Sequence, residues 1–242
     1  MIGVDVSNNQ GAINWTALAN DGVRFAWIKA TEGATWTDPL FAENMRRAQE
    51  AGIRVGAYHY ARPDNNSPQK EAWHFLDRAR PRPGDLLPVL DFEAPEASRL
   101  GATKQEQWAA TWLNQVWGDI GVKPIFYSYP AYIFGPLGGG QHLRSYPLWL
   151  ASYGPNDGSR HISVVPYGFN MVVHQYTSRG NRGGRRPLDL NFLLVPLDTI
   201  TYHPTPRATL RKRILARHRA GWGWGKIKAT AAWREFKLRG GS

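Results

Sequence analysis

Cysteine is absent from the 242 residues, which excludes a disulfide framework and any thiolate metal site, and leaves the redox compartment unmarked. No run of 18 apolar residues occurs, so no membrane-spanning helix is expected. The opening residues 1-MIGVDVSNNQG-11 hold no basic segment and place an acid at Asp5. They do not read as a secretory signal, and the expectation is a chain made without one that does not cross a membrane by itself. The seven histidines show no H-E-x-x-H spacing, and 138-GGGQHL-143 lacks the Lys-Ser/Thr of a phosphate-binding loop. Neither a metal nor a cofactor is therefore expected, and the glycine run reads as a flexible rim, one that would lie over a substrate. No internal repeat is apparent.

Acidic charge is what the C-terminal end lacks. From His203 onward there are eleven Lys and Arg against the single acid Glu235, whereas the preceding 202 residues are nearly balanced. Most of the net charge of +11 thus sits in one extension, set off by Pro204 and Pro206. Within it, 207–221 and 226–241 are helix-capable, joined by Gly-Trp-Gly-Trp-Gly. The organisation expected is a domain over 1–202 and a basic, helical or disordered extension over 203–242.

What is present in the first 202 residues is a recurring alternation. Short apolar runs, 2-IGVDVS-7, 24-RFAWIKA-30, 54-RVGAYHY-60, 87-LPVLDFE-93, 124-PIFYSY-129, 147-PLWLASY-153, 171-MVVHQYT-177 and 188-LDLNFL-193, read as strands, several covered on both faces. Between them, 38–52 has Asp38 as N-cap, Pro39 at the first turn and Gly52 as stop. Residues 68–80 form a second helical segment, ended by Pro81. Residues 103–121 form a third, with Thr103 and Glu106 at capping-box spacing and a stripe of Trp108, Ala109, Trp112, Leu113, Val116, Trp117 and Ile120. Strands alternating with helices predict βαβ units and a parallel sheet. The fold class is α/β: an irregular (β/α) TIM-like barrel whose later connections are too short for full helices, with an open doubly wound sheet as the alternative.

In a parallel barrel, loops at the carboxyl ends of the strands converge on one mouth. Those ends carry Asp5, Glu32, Tyr58, Tyr60, Asp91, Glu93, Tyr127, Trp149, Tyr153, Gln175 and Asp189. Asp91 and Glu93 are two apart on a strand and share a face. Crowded carboxylates cannot all ionise easily, so one keeps a proton near neutral pH and becomes a donor beside an ionised partner. That is the equipment for cleaving a glycosidic bond, though D-x-E spacing alone also fits solvated charge. Asp5 and Asp189 lie on the first and last strands, neighbours if the barrel closes. His59, between Tyr58 and Tyr60, faces the other way and reads as a hydrogen-bonded core residue. Trp108, Trp112 and Trp117 read as helix-face core, whereas Tyr127, Trp149 and Tyr153 are the better sugar platforms.

With these residues in view, the sequence resembles family 25 glycoside hydrolases, lysozymes of the N,O-diacetylmuramidase type. The resemblance runs in order through 3-GVDVSNNQGAINW-15, 27-WIKATEG-33, 56-GAYHYARP-63, 88-PVLDFEA-94, 125-IFYSY-129, 148-LWLASY-153, 174-HQYTS-178 and 188-LDLN-191. It implies a modified (β/α) barrel that hydrolyses, with retention, the β-1,4 bond between N-acetylmuramic acid and N-acetylglucosamine in bacterial peptidoglycan. It also implies Glu93 as general acid, Asp91 as its partner, and Asp5 and Asp189 in support. Asp91 either attacks the sugar or steadies an oxazolinium formed by the substrate's acetamido group, and the second is favoured because the substrate carries that group. The basic 179-RGNRGGRR-186, read as a loop, and the extension after residue 203 depart from the family pattern. The extension is expected to be a solvated tail or, given Trp222, Trp224, Trp233 and Phe236 among its basic residues, an attachment to anionic wall polymers or an envelope surface. Nucleic acid is not an expected partner. Lacking a signal peptide, such an enzyme fits a phage endolysin. The rivals are a chitinase-like hydrolase and a non-catalytic wall-binding or virion protein.

Overall fold

The computed structural model describes residues 1–93, 99–161 and 164–204. The expected helices over 207–221 and 226–241, and nearly all of the 203–242 extension, lie outside them. The strands are β1 (Ile2–Val6), β2 (Val23–Glu32), β3 (Trp36–Thr37), β4 (Arg54–Tyr60), β5 (Val89–Asp91), β6 (Ile125–Ser128), β7 (Pro147–Ala151), β8 (Asn170–Arg182) and β9 (Arg185–Leu193). All eight expected strands are present; β3, two residues long, was not anticipated.

The sheet runs β1-β9-β8-β7-β6-β5-β4-β2 and closes through a parallel β1–β2 pairing. It is a closed barrel, and the open-sheet alternative is set aside. β1, β2 and β4 to β8 run parallel, but β9 is antiparallel to both neighbours. The expectation of an all-parallel sheet fails there for a local reason. Only Gly183 and Gly184 separate β8 from β9, both at positive φ, and two residues allow a hairpin but not a crossover. The basic segment 179–186, read as a loop, is therefore the end of that hairpin.

Helices α1 (Trp15–Asn20), α2 (Phe41–Glu50), α3 (Pro68–Ala79), α4 (Ala102–Ile120) and α5 (Pro130–Phe134) join the earlier strands. Two starts differ from expectation. Asp38 does not cap α2; its carboxylate accepts from Leu40 N and Asn8 N, both at 2.8 Å, tying the β3–α2 link to the turn after β1. α4 begins behind Gly101 with no side-chain cap, and Glu106 instead accepts from His142 N. The α4 stripe is buried as expected except Trp117, which is 40% exposed. Its indole packs edge-on against Tyr146, under the Lys123 ammonium.

The two-residue period of a strand sorts the barrel into layers. On β2, Phe25, Trp27 and Lys29 share the inward face. Phe25 and Trp27 meet edge to face, and Trp27 stacks on Trp149 with centroids 4.7 Å apart. Neighbouring strands give way to them: a Cβ on Gly3 would lie 2.3 Å from the Phe25 ring, and one on Gly56 2.8 Å from Trp27 Nε1. The aromatic plug fills the lower barrel, and what lies above it, at the carboxyl ends of the parallel strands, is polar. The outward face packs on helices. There His59 is fully buried, stacked on Trp112 and bonded to Thr31 Oγ1 and Glu71 Oε2, both at 2.8 Å.

Candidate active site

The cavity at the mouth has a volume of about 230 Å³ and takes a residue from nearly every barrel strand. Its carboxylates are Asp5 (β1), Asp91 and Glu93 (β5 and the two residues beyond it) and Asp189 (β9). Asp5 and Asp189 are register partners. Because β9 runs the other way, Asp189 reaches the mouth from the middle of its strand, not from a carboxyl end as expected. Tyr58, Tyr60, Tyr127, Trp149, Tyr153 and Gln175 also line the cavity. Trp149, however, is 2% exposed with its face covered by Trp27, so it forms the floor and offers no open platform. The 138–143 segment contributes no lining residue; Leu143 is buried in the core.

One expected site residue lies elsewhere. Glu32 lines a separate pocket. The register of β2 against β4 shifts between Lys29 and Thr31, a bulge that sets Thr31 opposite outward-facing His59 and Glu32 opposite Tyr60, at the point where the chain turns into β3. There Glu32 bonds Lys29 Nζ and Arg62, each at 2.6 Å. Although burial acts to raise its pKa, these two cations hold it below the usual glutamate value.

Residues beyond those expected complete the cavity. Lys29 is its one cationic lining residue among the described residues. Asn191 stands behind Asp5: its Nδ2 donates to Asp5 Oδ2 at 2.7 Å, and its Oδ1 accepts from Trp149 Nε1 at 2.7 Å. Gln175 donates to the same Asp5 oxygen at 2.9 Å while accepting from Tyr127 and Tyr153 hydroxyls. Ser7, Asn9 and Gln10 reach the rim because a 3-10 turn follows β1 directly, closed by Ser7 N donating to Gln10 Oε1. Strand alternation contained two of these signals. Lys29 is two residues past inward-facing Trp27, and Asn191 two past Asp189.

Electrostatically the cavity holds protons. Burial pushes Asp5 up to about 6 against the two amide donors. Burial, with the charges of Asp5 and Glu93, pushes Asp189 up to about 8. Asp91 is raised well above the carboxylate range by burial and then by Glu93, with Lys29 opposing. Glu93 is raised by burial, opposed by a hydrogen bond from Tyr127. Tyr58, Tyr127 and Tyr153 are raised, first by burial and then by the surrounding carboxylates, so they remain hydroxyl donors. Asp91 Oδ1 is buried without a hydrogen-bond partner, an unsatisfied acceptor beneath the cavity. Among the described residues no group of three or more His, Cys, Asp or Glu has metal-ligand geometry, and no helix is long and apolar enough to cross a membrane.

Comparison with known proteins places this arrangement. The chain is 38% identical over 156 residues to YegX of Escherichia coli K12, covering 62% of this chain and 56% of that protein. It is 32% identical over 192 residues to Lysozyme M1 of Streptomyces globisporus, covering 75% and 63%. Lysozymes of Streptococcus phages are among its more distant relatives. The chain thus spans a little over half the length of the curated relatives it matches. A bacterial lysozyme structure from Streptomyces coelicolor superposes with a TM-score of 0.76 at 28% identity, over 83% of this chain and 94% of that one. The family model described as glycosyl hydrolases family 25 matches residues 4–185. The chain belongs to glycosyl hydrolases family 25.

Proposed function

We propose that this chain is a muramidase, cleaving the β-1,4 bond between N-acetylmuramic acid and N-acetylglucosamine in peptidoglycan. The observation that carries the reading is four carboxylates in one cavity with a single lysine among its lining residues, in a member of this family. We read the fold as a modified TIM-like barrel, supported by its seven parallel strands and by a mouth at their carboxyl ends.

Glu93 acts as general acid, its proton retained by burial and passed to the glycosidic oxygen as the C–O bond breaks. The substrate's acetamido oxygen closes on the anomeric carbon, and Asp91 holds the acetamido N–H through its unpartnered Oδ1. That N–H favours the charged form of Asp91, so substrate binding drives the shared proton toward Glu93. In the second step water opens the oxazolinium and returns a proton to Glu93, giving net retention. Asp5, fixed by Gln175 and Asn191, and Asp189 set the charge around Asp91. The phage lysozymes among the relatives support a role in host-wall lysis.

The test is digestion of purified peptidoglycan, borohydride reduction and mass spectrometry of the new ends. Reduced muramic acid is expected. Reduced glucosamine, or cleavage of plain N-acetylglucosamine polymers without muramic acid, would assign a different hydrolase. No new ends from folded protein would leave a binding role.

A further inference from the structure

Beside the catalytic cavity lies a second pocket, of about 310 Å³, lined by Glu32, Gly33, Ala34, Thr35, Trp36, Arg62, Asn65 and Asn66. That volume is at the lower end of the ~300–1,000 Å³ of ligand sites. One wall is the β2–β3 hairpin, where Glu32 pairs with Trp36; the other is the segment after β4. The walls meet at Gly33, whose N donates to Tyr60 O at 3.2 Å. Gly33 has φ +55°, and a Cβ there would lie 3.3 Å from Asn66 Nδ2. Neither wall hangs free. Asn66 O accepts from Trp108 Nε1 at 2.8 Å, Arg62 N donates to Glu71 Oε2 at 3.1 Å, and Trp36 O faces His74 Nε2 at 3.0 Å.

The chemistry of this pocket is that of a sugar site. Trp36 is 39% exposed, although it sits on a rigid hairpin beside a buried core, and its indole face is a stacking surface for a pyranose ring. Asn65 and Thr35 supply neutral donors and acceptors at the rim. In the Lys29–Glu32–Arg62 chain of the floor, Glu32 accepts from both cations, so each of the three charges already has a partner before a ligand arrives. The same lysine joins the two pockets. Lys29 lines the catalytic cavity, and its ammonium lies 4.7 Å from the Tyr60 ring centre and 5.1 Å from that of Trp36. Lys29 thus lies against Tyr60 of the first space and Trp36 of the second, and a polymer lying across the mouth would run from one into the other.

We propose that this pocket is a distal saccharide subsite, which binds a further N-acetylhexosamine ring of the glycan strand against Trp36 and so favours long chains over short fragments. The inference rests on the hydrolytic reading above. No catalytic group is involved; Trp36 and Asn65 act on affinity and processing length alone.

The experiment measures kcat/KM on reduced glycan fragments of increasing length for wild type, Trp36→Ala and Asn65→Ala. Intrinsic fluorescence titrations of the same fragments are made in a Glu93→Gln background, with circular dichroism confirming the fold. For wild type, kcat/KM should rise when a ring long enough to reach the pocket is added. Trp36→Ala should remove that rise, costing about tenfold on long fragments and leaving the shortest cleaved fragment unchanged. Asn65→Ala should give a smaller loss with the same length dependence. A loss equal at all lengths, or no loss in either folded variant, overturns the subsite. If wild type cleaves no fragment but the Glu93→Gln titrations still lose their length dependence on Trp36→Ala, the hydrolytic reading falls and the subsite stands.

Discussion

Asp5 and Asp189 face each other across the antiparallel β1–β9 pair, one carboxylate from the start of the barrel and one from its last strand. Both line the cavity, whose one cationic lining residue among the described residues is Lys29. Burial, set against so little positive charge, makes all four hold protons more tightly than free carboxyls do.

Replacing Glu93 by Gln removes the donor and keeps the shape. Activity on peptidoglycan should fall by about three orders of magnitude or more, within the scale of general acid catalysis, while the circular dichroism spectrum and thermal midpoint stay near wild type. Substantial residual turnover would remove Glu93 from its role.

Thermal stability should have an inverted pH dependence. Asp5 and Asp189 have folded pKa values raised to about 6 and about 8. The folded state therefore binds more protons than the unfolded state between the unfolded aspartate value and these values. Their contribution is fully present below the unfolded pKa and is lost as pH rises through about 6 and then about 8. Differential scanning calorimetry should show Tm rising as pH falls from 8.5 toward 5. Asp189→Asn should flatten the upper part of that slope; an unchanged slope would show that Asp189 does not titrate there.

Lys29→Met removes the cation that opposes the raised pKa of Asp91 and Glu93. Both limbs of a bell-shaped kcat/KM profile should move to higher pH, with a lower maximum because Asp91 ionises less readily. A profile that drops without moving would indicate that Lys29 acts only through packing.

Asn191→Leu deletes a donor to Asp5 and strands the Trp149 indole N–H. Leaving buried polar groups unpaired costs about 1–3 kcal/mol each, so urea unfolding should register a loss of about 2–4 kcal/mol. Asn191→Asp, which keeps an acceptor for Trp149 but adds a charge beside Asp5, should cost more activity than stability.

How much of this was legible beforehand differs by element. Strands announced themselves because barrel strands covered on both faces are short apolar runs, and those at 2–6, 54–60 and 147–151 fall within or on their expected limits. The carboxylate set came from position, since two-residue spacing puts Asp91 and Glu93 on one face. The direction of β9 was obscured because 179-RGNRGGRR-186 looks like a solvent loop, whereas its diglycine makes it a hairpin. Glu32 lines the neighbouring pocket and not the cavity, and the bulge after Lys29 that sets it opposite Tyr60 leaves no mark in composition. The helix starts at Asp38 and Thr103 had the right residues for caps, but tertiary partners in Asn8 and His142 took Asp38 and Glu106.

The antiparallel closing strand also sets the order in which the molecule becomes dangerous. Of the four cavity acids a ribosome delivers Asp5 first and Asp189 last, and until β9 docks, β1 and β8 are both open edges. A nascent chain holding every residue through β8 has the aromatic plug and three of the four acids, yet it lacks Asn191 behind Asp5 and the wall that shields the site from water. A chain interrupted before β9 is thus released with the barrel unclosed and the four-acid cavity incomplete.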